Sequence, residues 1–183
     1  MGLAHSLQKK EEIVLKSEEL RELQAPLKEK YRENPEEAVI TLRAKGTIGE
    51  GITCRVDTGK ALVEAGLHPA TGGNGLAACS GDMLLEALVA CAGVTLKAVA
   101  TALEIEWRGG TISAEGDLDF RGTLGVSKDA PVGFSRIHLN FDLDTDAPED
   151  KVATLLRLTE RYCVVKQTIE KPTPVDVLHT VAT

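Results

Sequence analysis

From residue 81 to residue 104 the chain runs for slightly over twenty residues almost without a polar face: GDMLLEALVACAGVTLKAVATALE. A surface helix shows one apolar stripe, whereas a helix apolar on nearly every side has to be wrapped by the rest of the fold. Ser80 is the natural N-cap, since its hydroxyl can accept from the first free amides. The length would suffice to cross a bilayer, but Asp82, Glu86, Lys97 and Glu104 argue against that. The segment predicts a buried central helix, and everything else must be arranged around it.

Strand-like segments flank this helix in two groups. Val39-Ile40-Thr41-Leu42 and Ile52-Thr53-Cys54-Arg55-Val56 are joined across Gly46, Gly49 and Gly51, and residues 60–65 form a third short strand. Alternating strands return at 111–120 and 134–143, and 175–179 reads as a last strand. Between them, Pro148-Glu149-Asp150 opens a helix to about Arg161, with its acids at the positive dipole end. A shorter helix runs from Cys163 to Ile169 and stops at Pro172 and Pro174. Strands in two groups separated by a buried helix predict an α+β fold of antiparallel strands rather than a doubly wound sheet. Aromatic residues make up only 3% of the 183, so the core has to be aliphatic.

Residues 7–33 form a charged helix with a narrow stripe of Ile13, Leu20, Leu23 and Leu27. Pro26 is expected to kink or divide it, and Asn34-Pro35 to end it. The chain therefore divides into a helical extension over 1–36 and a domain over 37–183, with the extension read as an arm onto a second subunit. The formal net charge is −7 and no basic run could track phosphates, which excludes nucleic acid as a partner. MGLAHSLQKK lacks the apolar region of a secretory leader, so the expected setting is cytoplasmic, with no membrane partner.

Four cysteines stand at 54, 79, 91 and 163 without CxxC or His-rich spacing, so neither zinc nor another metal is expected. Cys54 and Cys79 read as small buried hydrophobes. Cys91 and Cys163 are set in helix-like contexts, and folding could make them a redox couple. The thiolate is the attacking species, so each needs something that lowers its pKa. Cys163 has a local source in the start of its short helix, with Arg161 and Lys166 nearby. Cys91 lies inside the long helix and must borrow activation from elsewhere. At about 100° per residue it shares a face with Ser80, Leu84, Ala87, Leu88, Thr95 and Ala98, while Asp82 is nearly opposite. That apolar wall suits an organic ligand. Gly72-Gly73-Asn74-Gly75 invites a turn with positive φ and fits no nucleotide loop, so no cofactor is assigned. His68 reads as a structural loop histidine.

GDMLLEALVACAGVTL, the Gly72–Gly75 turn and TERYCVVKQT together resemble the OsmC/Ohr family of thiol-dependent peroxidases, over Val39 to the C-terminus. The resemblance implies the OsmC-like fold and an intertwined homodimer with two sites at its interface. It also implies a stress-response, antioxidant oxidoreductase that reduces organic hydroperoxides without metal or organic cofactor. Carried over, Cys91 is peroxidatic and becomes a sulfenic acid, Cys163 resolves it to a disulfide, and a dithiol restores both.

Three departures bear on activity. Glu50, in Thr47-Ile48-Gly49-Glu50, occupies the place of the family's peroxide-polarising Arg, leaving Arg55 or Arg43 as substitutes. Asp82 lies one residue beyond the place of an acid ahead of the central helix. Val164 replaces the Pro after the second cysteine. The other reading is therefore an OsmC-like protein that binds a small apolar or thiol-reactive ligand in the same cleft without significant peroxidase activity.

Overall fold

A computed structural model describes residues 16–34, 45–48, 53–57, 62–125 and 127–181. Its helices α1 (Ser17–Glu33) and α2 (Ser80–Ala102) are separated by strands β1 (Lys45–Ile48), β2 (Thr53–Asp57), β3 (Leu62–Gly66) and β4 (Ala78–Cys79). There follow β5 (Gly109–Leu118), α3 (Phe120–Thr123), β6 (Phe134–Asp144), α4 (Glu149–Tyr162) and α5 (Val164–Glu170). The fold is α+β, with two strand groups on either side of the long helix in sequence. The first group departs from the expected pattern, because β1, β2 and β3 are antiparallel but β3 and β4 pair in parallel over two residues. The second is the β5–β6 antiparallel pair, with a register shift at Asp117/Leu118.

The long helix buries one stripe rather than its whole circumference. Leu88, Ala92, Leu96 and Ala100, spaced by four, are all at most 3% exposed. Leu96 and Ala100 close one cluster with Ile105 and Leu155, backed by Val99, Trp107, Ile112 and Phe141. Leu88 and Ala92 close a second around Cys163. The uncovered surface carries Leu84 at the end of that row and, on the far side, Ala87, Ala90 and Val94, all exposed, with Val94 at 74%. The expectation of a helix buried all round is thus corrected for the single chain. One two-stranded sheet and two helices can cover only one side of a cylinder. Ser80 is also not the cap: Cys79 holds that position, with no side-chain hydrogen bond, and the helix closes at Leu103 before Glu104 at φ 56°.

Helix α4 is amphipathic, with Leu155 and Thr159 turned inward and Glu149 and Asp150 at its positive end. Pro148 stands just outside it as the N-cap. Pro26 lies within α1, which continues through it instead of dividing. The described part of that helix touches its own chain, where Arg21 Nη2 meets Glu104 Oε1 at 3.2 Å. The pair is exposed and contributes little.

Two further expectations meet the structure differently. Gly46, expected in a turn, lies within β1 opposite Val56. The segment 39–42 lies outside the described residues, as do residues 7–15 of the charged stretch. The tail expected as a strand at 175–179 is extended coil, with Val175, Val177 and Leu178 between 82% and 93% exposed. A strand needs an edge to pair with, and the tail is not paired with any of the described strands.

Leu96 lies at the middle of the buried stripe, so Leu96→Ala tests the central packing. A loss of about 2–5 kcal/mol is expected, as for other fully buried leucines, measured as a lower urea midpoint at unchanged m-value.

Candidate functional site

Helix α2 carries Cys91 at the margin between its buried stripe and its exposed apolar side. Cys163 reaches the same place from the joint between α4 and α5. Its backbone caps both helices: Cys163 N donates to Thr159 O at 2.9 Å, and Gln167 N donates to Cys163 O at 3.0 Å. The extended conformation there, φ −70° and ψ 104°, ends one helix and starts the next within a single residue. This bend directs the side chain into the core, where Cys163 is 0% exposed against Leu88 and Ala92. Cys91 and Val165 pack on the same cluster, and the sheet contributes Ile112, Ala114, Ile137, Leu139 and Phe141. Cys91 is half-buried, and both thiols are free.

The two thiols share one cluster and influence each other's ionisation, and they differ in charge preference. Burial pushes the Cys91 thiol up. The backbone amide of Val165, the Cys163 thiol, the amide of Val164 and the Thr95 hydroxyl all donate to its sulfur and more than offset burial. Cys91 is therefore held below the ordinary thiol range. For Cys163 burial pushes the thiol up and is not overcome. The Lys166 amide lowers it, but the hydrogen bond to Cys91 and the negative charge there raise it further.

This reverses the expected source of activation. The start of α5 does not overcome burial at Cys163, although that residue is its N-cap. It serves Cys91, which folding places in front of the first-turn amides. Thr95 follows Cys91 by one helical turn, and its place on that face was readable from the spacing. The role of the Val164 and Val165 amides was not, because it depends on how two distant segments meet.

Other residues singled out from the sequence fall elsewhere. Asp82 is exposed and lines an open cavity with Leu85, Glu86, Val89, Ala90 and Ala114, which shares only Ala114 with the cysteine cluster. Arg55 lies on β2 opposite Thr47 and Glu64 in register, and only its backbone position is described. Glu50 and Arg43 lie outside the described residues. His68 has a structural setting: its Nδ1 accepts from Ala70 N at 3.0 Å, and its ring stacks on Phe120 with centroids 4.9 Å apart. Gly72 and Gly75 adopt positive φ, 91° and 73°, as that turn requires. Cys79 is a half-buried free thiol at the start of α2, and Cys54 lies on β2.

A cavity of about 520 Å³ opens beside the pair, lined by Leu84, Leu88, Ile137, Leu139, Lys166 and Ile169 among others. Leu88, Ile137 and Leu139 also pack around the cysteines, so cavity and thiols share a wall. The volume suits a small organic molecule, and the lining is mostly apolar. Among the described residues no group of three or more His, Cys, Asp or Glu side chains could hold a metal ion.

Residues 72–178 match the family model described as OsmC-like protein. That is more than half of the chain, which therefore belongs to the OsmC-like family. Its fold is similar to that of an OsmC-like protein from Mycoplasma pneumoniae, at TM-score 0.61 and 14% identity over 72% of this chain and 88% of that one. An organic hydroperoxide resistance protein OsmC from Legionella pneumophila gives 0.56 and 17%, over 72% and 90%. An organic hydroperoxide resistance protein from Elizabethkingia anophelis gives 0.56 and 17%, over 70% and 87%. At these identities the likeness is one of fold. No curated protein matches the chain in sequence.

The opposite shifts of the two thiols set an order of reactivity. A thiol with lowered pKa has the larger thiolate fraction at any pH below its midpoint, so Cys91 is expected to alkylate first. Iodoacetamide titration with peptide mapping should give a Cys91 midpoint below that of a free thiol. Cys163 should lie above it and react more slowly still because its sulfur is covered.

Proposed function

We propose that the protein is a dimeric, thiol-dependent peroxidase that reduces organic hydroperoxides at Cys91. The observation that carries this reading is the packing of Cys91 against the buried Cys163 at the start of α5, where the Val165 and Val164 amides, the Cys163 thiol and Thr95 favour the Cys91 thiolate. The family and the two hydroperoxide resistance proteins of like fold agree with it. The Cys91 thiolate attacks one peroxide oxygen, the O–O bond breaks, and the alkoxide leaves to become the alcohol. Cys91 is then a sulfenic acid. The Cys163 sulfur attacks it, the S–S bond forms, and hydroxide leaves with the Cys163 proton as water. A dithiol reduces the disulfide by two exchanges, so the net reaction turns one hydroperoxide and one dithiol into alcohol, water and disulfide. Cys163 is fully covered while Cys91 is not, so the external thiol enters at Cys91. A reducing, cytoplasmic setting would keep both thiols ready.

The amides of α5 take over part of the work that an Arg does elsewhere in the family, since Glu50 occupies its place in sequence. The apolar cavity supports a second reading, a binding protein for a small apolar or thiol-reactive ligand. The two are separated by following cumene hydroperoxide consumption with dihydrolipoamide or another dithiol. Turnover is expected in the wild type and falls to background in Cys91→Ser. In Cys163→Ser without the dithiol, one equivalent of peroxide should be consumed and a sulfenic acid should remain on Cys91. A wild-type protein that binds the alcohol product but consumes no peroxide would overturn the enzyme in favour of the binding protein.

The exposed side of α2 supports the homodimer. Leu84, Ala87, Ala90 and Val94 continue the apolar surface beside Cys91, and Val164 at 69% exposure and Tyr162 at 58% extend it. A second copy covering this side would also complete the wall of the site. Light scattering is expected to give twice the 19.5 kDa of the chain. Val94→Glu should return it to the single-chain mass, since Val94 is not needed for the chain's own core.

A further inference from the structure

Glu160 and Lys166 stand three residues to either side of Cys163, and their side chains meet across it. Lys166 Nζ lies 3.1 Å from Glu160 Oε2 and 2.7 Å from Glu170 Oε1. The Lys166 side chain is only 19% exposed, whereas both carboxylate side chains are 52% exposed. A lysine so far out of water needs its charge matched. Burial pulls its pKa down, but the hydrogen bonds and charges of Glu170 and Glu160 more than offset that, so the ammonium persists.

The two pairs do different things. Lys166–Glu170 is an i,i+4 pair within α5 and links one turn of that helix to the next. Lys166–Glu160 crosses from α5 to α4. A second link crosses the same joint, from Gln167 Nε2 to the Glu160 carbonyl at 2.9 Å. Cys163 itself supplies no side-chain cap there. A seven-residue helix has little stability of its own, so its direction has to come from such tertiary links. Its first turn is the part that meets the α2 cluster, through Val165 beside Cys91.

We propose that Glu160 and Lys166 are positioning residues for the reactive thiol: their ion pair across Cys163 fixes the first turn of α5 against Cys91. The pair acts through the backbone of Val164 and Val165 and does not touch the reacting sulfur. The other groups facing Cys91 are Thr95 on its own helix, the Cys163 thiol, and the apolar side chains of β5 and β6. The charged groups at the joint are Glu160, Lys166 and Glu170. This inference rests on Cys91 being the reactive thiol of the proposed function.

The sign of the effect separates positioning from simple charge. Glu160→Gln removes a negative charge near the joint, which by electrostatics alone would favour a nearby thiolate and lower its midpoint. Loss of positioning has the opposite sign; in Lys166→Met, which removes a positive charge, both effects act in the same direction, so Glu160→Gln decides between them. Glu170→Gln removes the same charge but leaves the link across the joint intact. The experiment measures the pH dependence of Cys91 alkylation by iodoacetamide in the full chain, together with thermal unfolding. Glu160→Gln and Lys166→Met are expected to raise the Cys91 midpoint by about one pH unit, a tenfold smaller thiolate fraction at neutral pH. Glu170→Gln and Lys166→Arg should stay near the wild type.

Unchanged or lowered midpoints in Glu160→Gln and Lys166→Met would overturn the proposal, even if those variants melt earlier, because a purely structural pair would affect only the melting. An equal rise in Glu170→Gln would overturn it as well. A wild-type Cys91 with no lowered midpoint would instead overturn the reactive thiol itself. Glu160 is half-exposed, so its Gln variant gives a folded readout should Lys166→Met fold poorly.

Discussion

The packing of one helical stripe governs the rest of this structure. Leu88, Ala92, Leu96 and Ala100 lie one above another along α2, and each layer fixes a different neighbour. The Leu96 and Ala100 layers hold α4 through Leu155 and the sheet through Ile112 and Phe141. The Leu88 and Ala92 layers receive Cys163 and, with it, the joint that turns α4 into α5. Alanine at two of the four positions lets the neighbouring backbones come close. A larger residue at Ala92 would have to displace Cys163, since that sulfur is packed against it. Hydrophobic burial therefore sets the position of the chemistry, and the polar interactions act only after it has done so.

Much of this was legible in the sequence. The run 81–104 announced its helix by composition alone, and the period-two patterns found β5 and β6 within two residues at each end. The acids after Pro148 marked the start of α4, and Pro172 lay just beyond the end of α5. Legibility ended where one element depends on another. The two-residue parallel bridge of β4 leaves no pattern to recognise, and α3 is a single turn in a connection. The tail 175–179 alternates as a strand should, but alternation states only that a strand is possible, not that an edge is available.

The site divides along the same line. That Cys91 and Cys163 deserved attention, and that Thr95 shares the Cys91 face, followed from spacing and context. Which thiol gains from the start of α5 did not follow. Cys163 is next to that helix in sequence, while Cys91, seventy-two residues earlier by its number, is next to its amides in space. Nearness along the chain favoured the wrong partner. The outcome is an asymmetric pair, with one sulfur surrounded by donors and the other, deeper, left to burial and to the charge of its neighbour.

One consequence lies in how Cys163 ends one helix and begins the next. Both caps are made by its backbone, through its amide to Thr159 and its carbonyl from Gln167, and neither uses the sulfur. Serine, threonine or aspartate at such a junction would commit the side chain to the helix end. Here the side chain packs in the core but caps neither helix, so its covalent state can change without withdrawing the backbone cap of either one. The joint can remain standing while the atom inside it is rewired.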